Sequence, residues 1–197
     1  METAAYYVAL VVLVVIPPTI LYWLLIHPFA EFWRRLGPLP TYLIVGTAVV
    51  LFGVGIYQFR EPLLRERYGV RTPLAIAAAI LLILALYLRV QIHRVFSAAT
   101  LVGVPEVSRR EGGGELITAG IYAKVRHPRY VEGGLVLAAA ALFSNYLAAY
   151  VLLALYVPLI YLVVLLEERE LRRRFGGRYD EYARRVPRFI PKMGRHT

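Results

Sequence analysis

The chain has no cysteine. That excludes disulfides, a thiolate nucleophile, zinc–cysteine sites and iron–sulfur clusters. Charge is also scarce: Asp, Glu, Lys and Arg make up 18% of 197 residues, against about 25% in ordinary soluble domains. Four stretches, 3–30, 36–59, 72–88 and 133–166, contain no Asp, Glu, Lys or Arg at all. A water-soluble globule of this size is therefore excluded. Hydrophobic residues fill 59% of the chain and the mean hydropathy is +0.57. The length fits one domain. A basic surplus of 23 over 13, net +10, lies between apolar runs and points to anionic lipid head groups rather than nucleic acid.

A membrane-crossing helix needs about 20 mostly apolar residues. The first three uncharged runs each supply one, over 4–26, 40–58 and 73–92. The first lacks a basic leader and is too long for a cleavable signal; Pro17-Pro18 inside it predicts a kink. The fourth run has 34 residues, with Ser144-Asn145 near its middle as a turn. It reads as a helical hairpin, 128–144 and 147–166. Five spans place 19 of the 23 basic residues on one side; four spans divide them more evenly. The positive-inside rule then sets the N-terminus outside and the C-terminus in the cytoplasm. Beyond residue 166 the chain is highly charged, and Leu171, Phe175, Tyr179 and Tyr182 form an apolar stripe. This predicts a cytosolic or interfacial helix, broken at Gly176-Gly177. The expected fold is all-α and polytopic, a single membrane domain in which 1–110 form a three-span part and 111–197 a core. The tyrosines, Trp23 and Trp33 are expected in the interfacial belt.

Almost no charge falls inside the spans, which argues against an ion or proton relay. Polar groups gather instead in two segments on one side. One runs from Gly112 to Glu132; the other is Glu167, Glu168 and Glu170 at the end of the last span. In the first, Arg126, His127 and Arg129 surround a helix start at Pro128, which needs no N–H there. Free N–H groups of that turn, with the basic side chains, suit an anion. Glu167 and Glu168 suit hydroxyls or a cation. A ligand with a carboxylate at one end and an amine, hydroxyls or a sulfonium elsewhere matches, and S-adenosylmethionine is such a ligand. The glycine triplet at 112–114 is not a dinucleotide fingerprint. His27, His93 and His196 have no clustered partners and are given no metal role.

The order LITAGIYAKVRHPRYV, a short hydrophobic hairpin, then EERELRRRFGGRYDEYARRVPRFIP resembles the isoprenylcysteine carboxyl methyltransferases and their relatives among the phospholipid N-methyltransferases. The resemblance covers roughly 114–191. It implies an S-adenosylmethionine-dependent membrane methyltransferase without a dinucleotide-binding domain, acting on a lipophilic acceptor from the bilayer. Gly114, Glu115, Leu116, Ile117 and Tyr122 correspond to residues that line the cofactor, as do His127, Pro128, Arg129 and Tyr130. Glu167 corresponds to the cofactor-binding glutamate. Val163 stands where the carboxyl methyltransferases carry an arginine, and Glu132 where glycine is common. These departures predict a pocket poor in positive charge, suited to an amine. Glu132 and Arg126 are the candidate catalytic residues, Glu132 as acceptor of the amine's proton. The phospholipid-amine reading and a non-catalytic scaffold or small-solute carrier remain the alternatives.

Overall fold

The computed structural model describes residues 1–95 and 116–191. Described residues form helices α1 (Glu2–Ile26), α2 (Ala30–Leu36), α3 (Pro38–Gln58), α4 (Arg60–Leu63), α5 (Thr72–His93), α6 (Pro128–Ser144), α7 (Leu147–Phe175) and α8 (Gly177–Arg185), with a 3₁₀ turn at Gly120–Ala123. There is no strand among them. The chain is an all-α polytopic membrane protein. Four helices, α1, α3, α5 and α7, are long and apolar enough to cross a membrane. The expected fifth span, α6, has 17 residues, or about 25 Å of helix, slightly less than a typical hydrocarbon core of about 30 Å. It is sheltered by α1, α5 and α7. The outer faces of α3 and α5 expose Leu43, Val50, Leu51, Ile80 and Ile83, as lipid-facing helices should, since lipid imposes no penalty on apolar surface.

Hydrogen bonds show which connections share an end of the bundle. The hairpin turn sits on Asn145, in the left-handed conformation at φ 56°, which asparagine tolerates better than most residues. Its Nδ2 donates to the Gly69 carbonyl at 2.7 Å, and its own carbonyl accepts from Tyr68 N–H at 3.0 Å. Glu2 accepts from the Val70 N–H. The N-terminus, the 60–71 connection and the hairpin turn therefore lie together. The opposite end gathers the 27–37 connection and the end of α7 through His27, Arg34 and Glu170, and the start of α6 through His127 and Glu168. This is the arrangement that an odd number of passes requires.

α1 runs unbroken through Pro17-Pro18. Pro18 cannot donate to the Val14 carbonyl, and α3 approaches that carbonyl closely: a Cβ on Gly53 would sit 3.3 Å from it. The belt expectation fails for both tryptophans. Trp23 and Trp33 are buried at 6% and 8% exposure, and the Trp33 indole N–H donates to the Leu25 carbonyl at 2.8 Å. Lone tryptophans near span ends read as belt residues because sequence does not show that a connection folds back over them. α7 continues past its apolar part as one helix of 29 residues, and the break falls at Gly176, φ 55°. The predicted stripe packs there: Tyr179, Tyr182 and Val186 are buried against Leu171 and Phe175.

α6 and α7 meet through Gly133, Gly134 and Tyr156. The Tyr156 hydroxyl donates to the Tyr130 carbonyl at 2.8 Å, and a Cβ on Gly133 would lie 2.7 Å from that hydroxyl. Gly133→Ala should destabilise the protein by about 1–3 kcal/mol, the usual cost of overpacking. Tyr156→Phe in the same chain should offset most of that loss. Thermal melts of the two single variants and the double variant check the coupling; strict additivity would refute the contact.

Candidate functional site

The site begins where α6 begins. Backbone N–H groups of Arg126 and His127 donate to the carbonyls of Pro187 and Arg188, at 2.9 and 3.0 Å. This pairing holds the C-terminal segment against the entry to α6. Pro128 fills the first helical position. His127, on that entry, points toward two adjacent glutamates of α7. Its Nε2 lies 3.2 Å from Glu168 and its Nδ1 3.6 Å from Glu167.

The two glutamates differ in kind. Glu168 is wholly buried. Its carboxylate accepts from Arg126 at 2.8 Å and from Arg188 Nε and Nη2, each at 3.0 Å, with Arg172 at 3.5 Å. It is the hub that locks α7, the α6 entry and the C-terminal segment together. Glu167 keeps 27% of its side chain exposed. Its Oε2 accepts from the Tyr130 hydroxyl at 2.8 Å. One face of this carboxylate is thus held and the other is open.

His127 is buried, which disfavours its charge, but hydrogen bonds and attraction from Glu167 and Glu168 outweigh that and raise its pKa above the usual histidine value. A raised folded-state pKa adds stability that is complete below the unfolded value near 6.5 and is lost as pH rises through the folded value. Melting temperature should therefore fall as pH is raised from about 6 through that range, and His127→Gln should flatten this part of the profile. An unchanged profile would remove His127 from the ion-pair cluster.

Next to the cluster, a cavity of about 240 Å³ lies between α1, α5, α6 and α7. Arg89, Arg129, Glu132, Trp23 and Tyr130 line it. Arg89, from α5, donates to Glu132 Oε1 through Nε at 2.9 Å and Nη2 at 2.7 Å. The Arg129 guanidinium sits 4.6 Å from the centre of the Trp23 ring, a cation–π contact. Trp23 stacks on His27 at 5.2 Å, and His27 Nδ1 lies 3.0 Å from Glu170. The sequence predicts a pocket poor in positive charge, and the structure overturns this: two arginines, Arg89 and Arg129, answer one glutamate, Glu132. An apolar groove of about 550 Å³ adjoins it, sharing Tyr130, Tyr156 and Ile160.

The structure therefore brings His127, Tyr130 and Glu167 together, with Arg129 and Glu132 on the neighbouring cavity. Arg126 is turned away from open space: it bonds Glu168 and, at 2.6 Å, the Ala183 carbonyl. Both ring nitrogens of His127 face protein carboxylates rather than a ligand's. Tyr122 is buried, its carbonyl accepting from the Tyr182 hydroxyl at 2.7 Å, and Leu116 packs against the Tyr179 cluster. Ile117 is half-buried just before the 3₁₀ turn. Gly114 and Glu115 lie outside the described residues. Arg89, Trp23 and His27 were not legible as site residues. Arg89 alone carried a signal, the first charge after an uncharged run.

An all-helical body with four helices long and apolar enough to cross a membrane, a buried carboxylate–histidine–arginine cluster at one end and a cavity between its helices beside that cluster defines an integral membrane protein. The chain belongs to the Phospholipid methyltransferase family, whose profile matches residues 74–178, just over half of its length. The match begins within α5, so Arg89 is inside it and Trp23 and His27 are not. The chain is also similar to the nickel-cobalt-cadmium resistance protein NccN of Alcaligenes xylosoxydans xylosoxydans, 42% identical over 81 residues. That stretch is 40% of this chain and 37% of the relative, so the chain spans well under half of it.

Proposed function

We propose that the protein transfers a methyl group from S-adenosylmethionine to the head of a lipophilic acceptor held in the bilayer. The observation that supports this best is Glu167, whose carboxylate is fixed by Tyr130 and His127 on one side and open on the other. Such a carboxylate suits hydroxyls or an amine of the cofactor, and Tyr130 offers an aromatic ring to a sulfonium. The donor set thus fits the cofactor. When bound, it supplies an electrophilic methyl group. What the chain supplies is position and dryness, which carry most of the acceleration in a displacement of this kind. Glu168 and Arg126 hold the α6 entry; Glu167 orients the cofactor.

On the acceptor side, Arg89 and Arg129 suit an anionic head group, and Glu132 takes the proton released when an amine is methylated. An aminophospholipid satisfies all three residues. A prenylcysteine acid is the second reading, because the two arginines also match its carboxylate. Purified protein given methyl-labelled cofactor and each acceptor in turn separates them. Label on the aminophospholipid, reduced more in turnover than in cofactor affinity by Glu132→Gln, supports the first; label on the acid, untouched by that change, supports the second.

The basic surplus favours a cytoplasmic position for the cluster end. In intact cells an impermeant maleimide should label Arg65→Cys, on the exposed 60–71 connection, but not Arg178→Cys on α8. The reverse pattern would invert the topology.

A further inference from the structure

The two arginines of the cavity between α1, α5, α6 and α7 are held in different ways. The Arg129 guanidinium lies 4.6 Å from the centre of the Trp23 ring and 5.8 Å from that of Tyr130. Both rings are buried, so this cation is fixed to the wall. Arg89 instead reaches across from α5 and gives two N–H groups to a single oxygen, Glu132 Oε1. The partners in that pair are unequal. The Glu132 side chain is 11% exposed and that of Arg89 is 56% exposed. Glu132 needs a cation beside it, because a buried carboxylate that loses its partner is costly. Arg89 depends on Glu132 far less, since water and lipid head groups can reach it.

The place of Arg89 in the fold gives it somewhere else to go. It stands one turn before His93, where α5 ends. Just beyond, Val95 closes on Gly120: a Cβ on that glycine would lie 2.7 Å from Val95 Cγ2. The end of α5 is therefore at the cluster end, near the entry to α6. Long arginines at the end of a span extend to the head-group level, where a phosphate offers a guanidinium a bidentate partner. Glu132, buried between the helices, cannot follow it there.

We propose that Arg89 is an exchangeable partner that selects the acceptor by its pair of charges. As the acceptor binds, its anion draws Arg89 off Glu132, and its ammonium takes the place of Arg89 on the carboxylate. This rests on the cavity being the acceptor's head-group site. A head group with both charges leaves every charge matched. One with an anion alone takes Arg89 and strands Glu132. One with an amine alone competes with a guanidinium that is already in place and offers that group nothing in return.

The test needs no cofactor. The detergent-purified full chain is titrated with dioctanoyl phosphatidylethanolamine, dioctanoyl phosphatidylglycerol and decylamine, and bound ligand is followed by native mass spectrometry. The native chain should bind phosphatidylethanolamine about tenfold or more tighter than either of the others, the effect of one added charge-assisted contact. In Arg89→Gln, decylamine should bind about tenfold tighter than it does to the native chain, because Glu132 then lacks its cation, and the preference for phosphatidylethanolamine over decylamine should vanish. Arg89→Lys should keep the native order. Glu132→Gln, which changes shape little and removes the need for a cation, should raise phosphatidylglycerol to the level of phosphatidylethanolamine. Decylamine binding that is unchanged or weaker in Arg89→Gln, or phosphatidylglycerol that matches phosphatidylethanolamine on the native chain, overturns the exchange and leaves the cavity as an acceptor site. Native chain that binds none of the three overturns the exchange together with that assignment of the cavity.

Discussion

Glu168→Gln should cost about 3–5 kcal/mol, the penalty for removing one partner from a buried ion pair. Glu168 is wholly buried and faces Arg126, His127, Arg172 and Arg188. Arg126 has 8% side-chain exposure, so water cannot replace what it loses. The C-terminal segment is tied to the α6 entry through this carboxylate, and its release should loosen α8 as well. The expected result is a large drop in melting temperature and in the yield of folded protein. Restoring neutrality with Arg126→Met beside the substitution should recover part of it, since apolar replacement of a buried pair is often tolerated. A variant as stable as the native chain would mean that the hub is not a hub.

Glu167→Gln should behave in the opposite way. Its side chain is partly exposed and its neighbours are not charged arginines at contact distance, so the fold should survive. Cofactor affinity should not: losing hydrogen bonds to a charged group costs about 1.5–3 kcal/mol, or roughly tenfold to a hundredfold in affinity. Calorimetry with S-adenosylhomocysteine reads this directly. Glu170→Gln, which disturbs only the His27 and Arg34 contacts, should leave that affinity nearly intact. If Glu167→Gln and Glu170→Gln weaken binding equally, the glutamates act as diffuse charge and the open carboxylate has no special role.

The hairpin was legible because it rests on local signals. An uncharged run too long for one helix contains a residue that accepts a positive φ, and Asn145 adopts one. The break at Gly176 was legible for the same reason. His127 and Glu167 were legible as a pair of motifs on one side of the membrane, although which atoms meet was not. Much of the remaining site depends on contacts across long stretches of chain. His27 and Glu170 are 143 residues apart and Arg89 and Glu132 are 43 apart. Periodicity and composition do not report such pairings. Trp23 shows the cost: its type and place near a span end suggest a belt, and only the approach of Arg129 and His27 gives it another task. For the same reason the pocket reads from sequence as lacking positive charge: Val163 is apolar, and Arg89 reaches the cavity from a different helix.

The central claim is methyl transfer to a lipophilic acceptor, and the most direct measurement follows the methyl group itself. The purified chain, reconstituted in bilayer discs containing phosphatidylethanolamine and a prenylcysteine analogue, is incubated with methyl-labelled S-adenosylmethionine, and the organic phase is counted and resolved. The account predicts label in a lipid product, lost in Glu167→Gln and retained in Glu170→Gln. Folded native protein that leaves all label in the aqueous phase, with either acceptor, would contradict it.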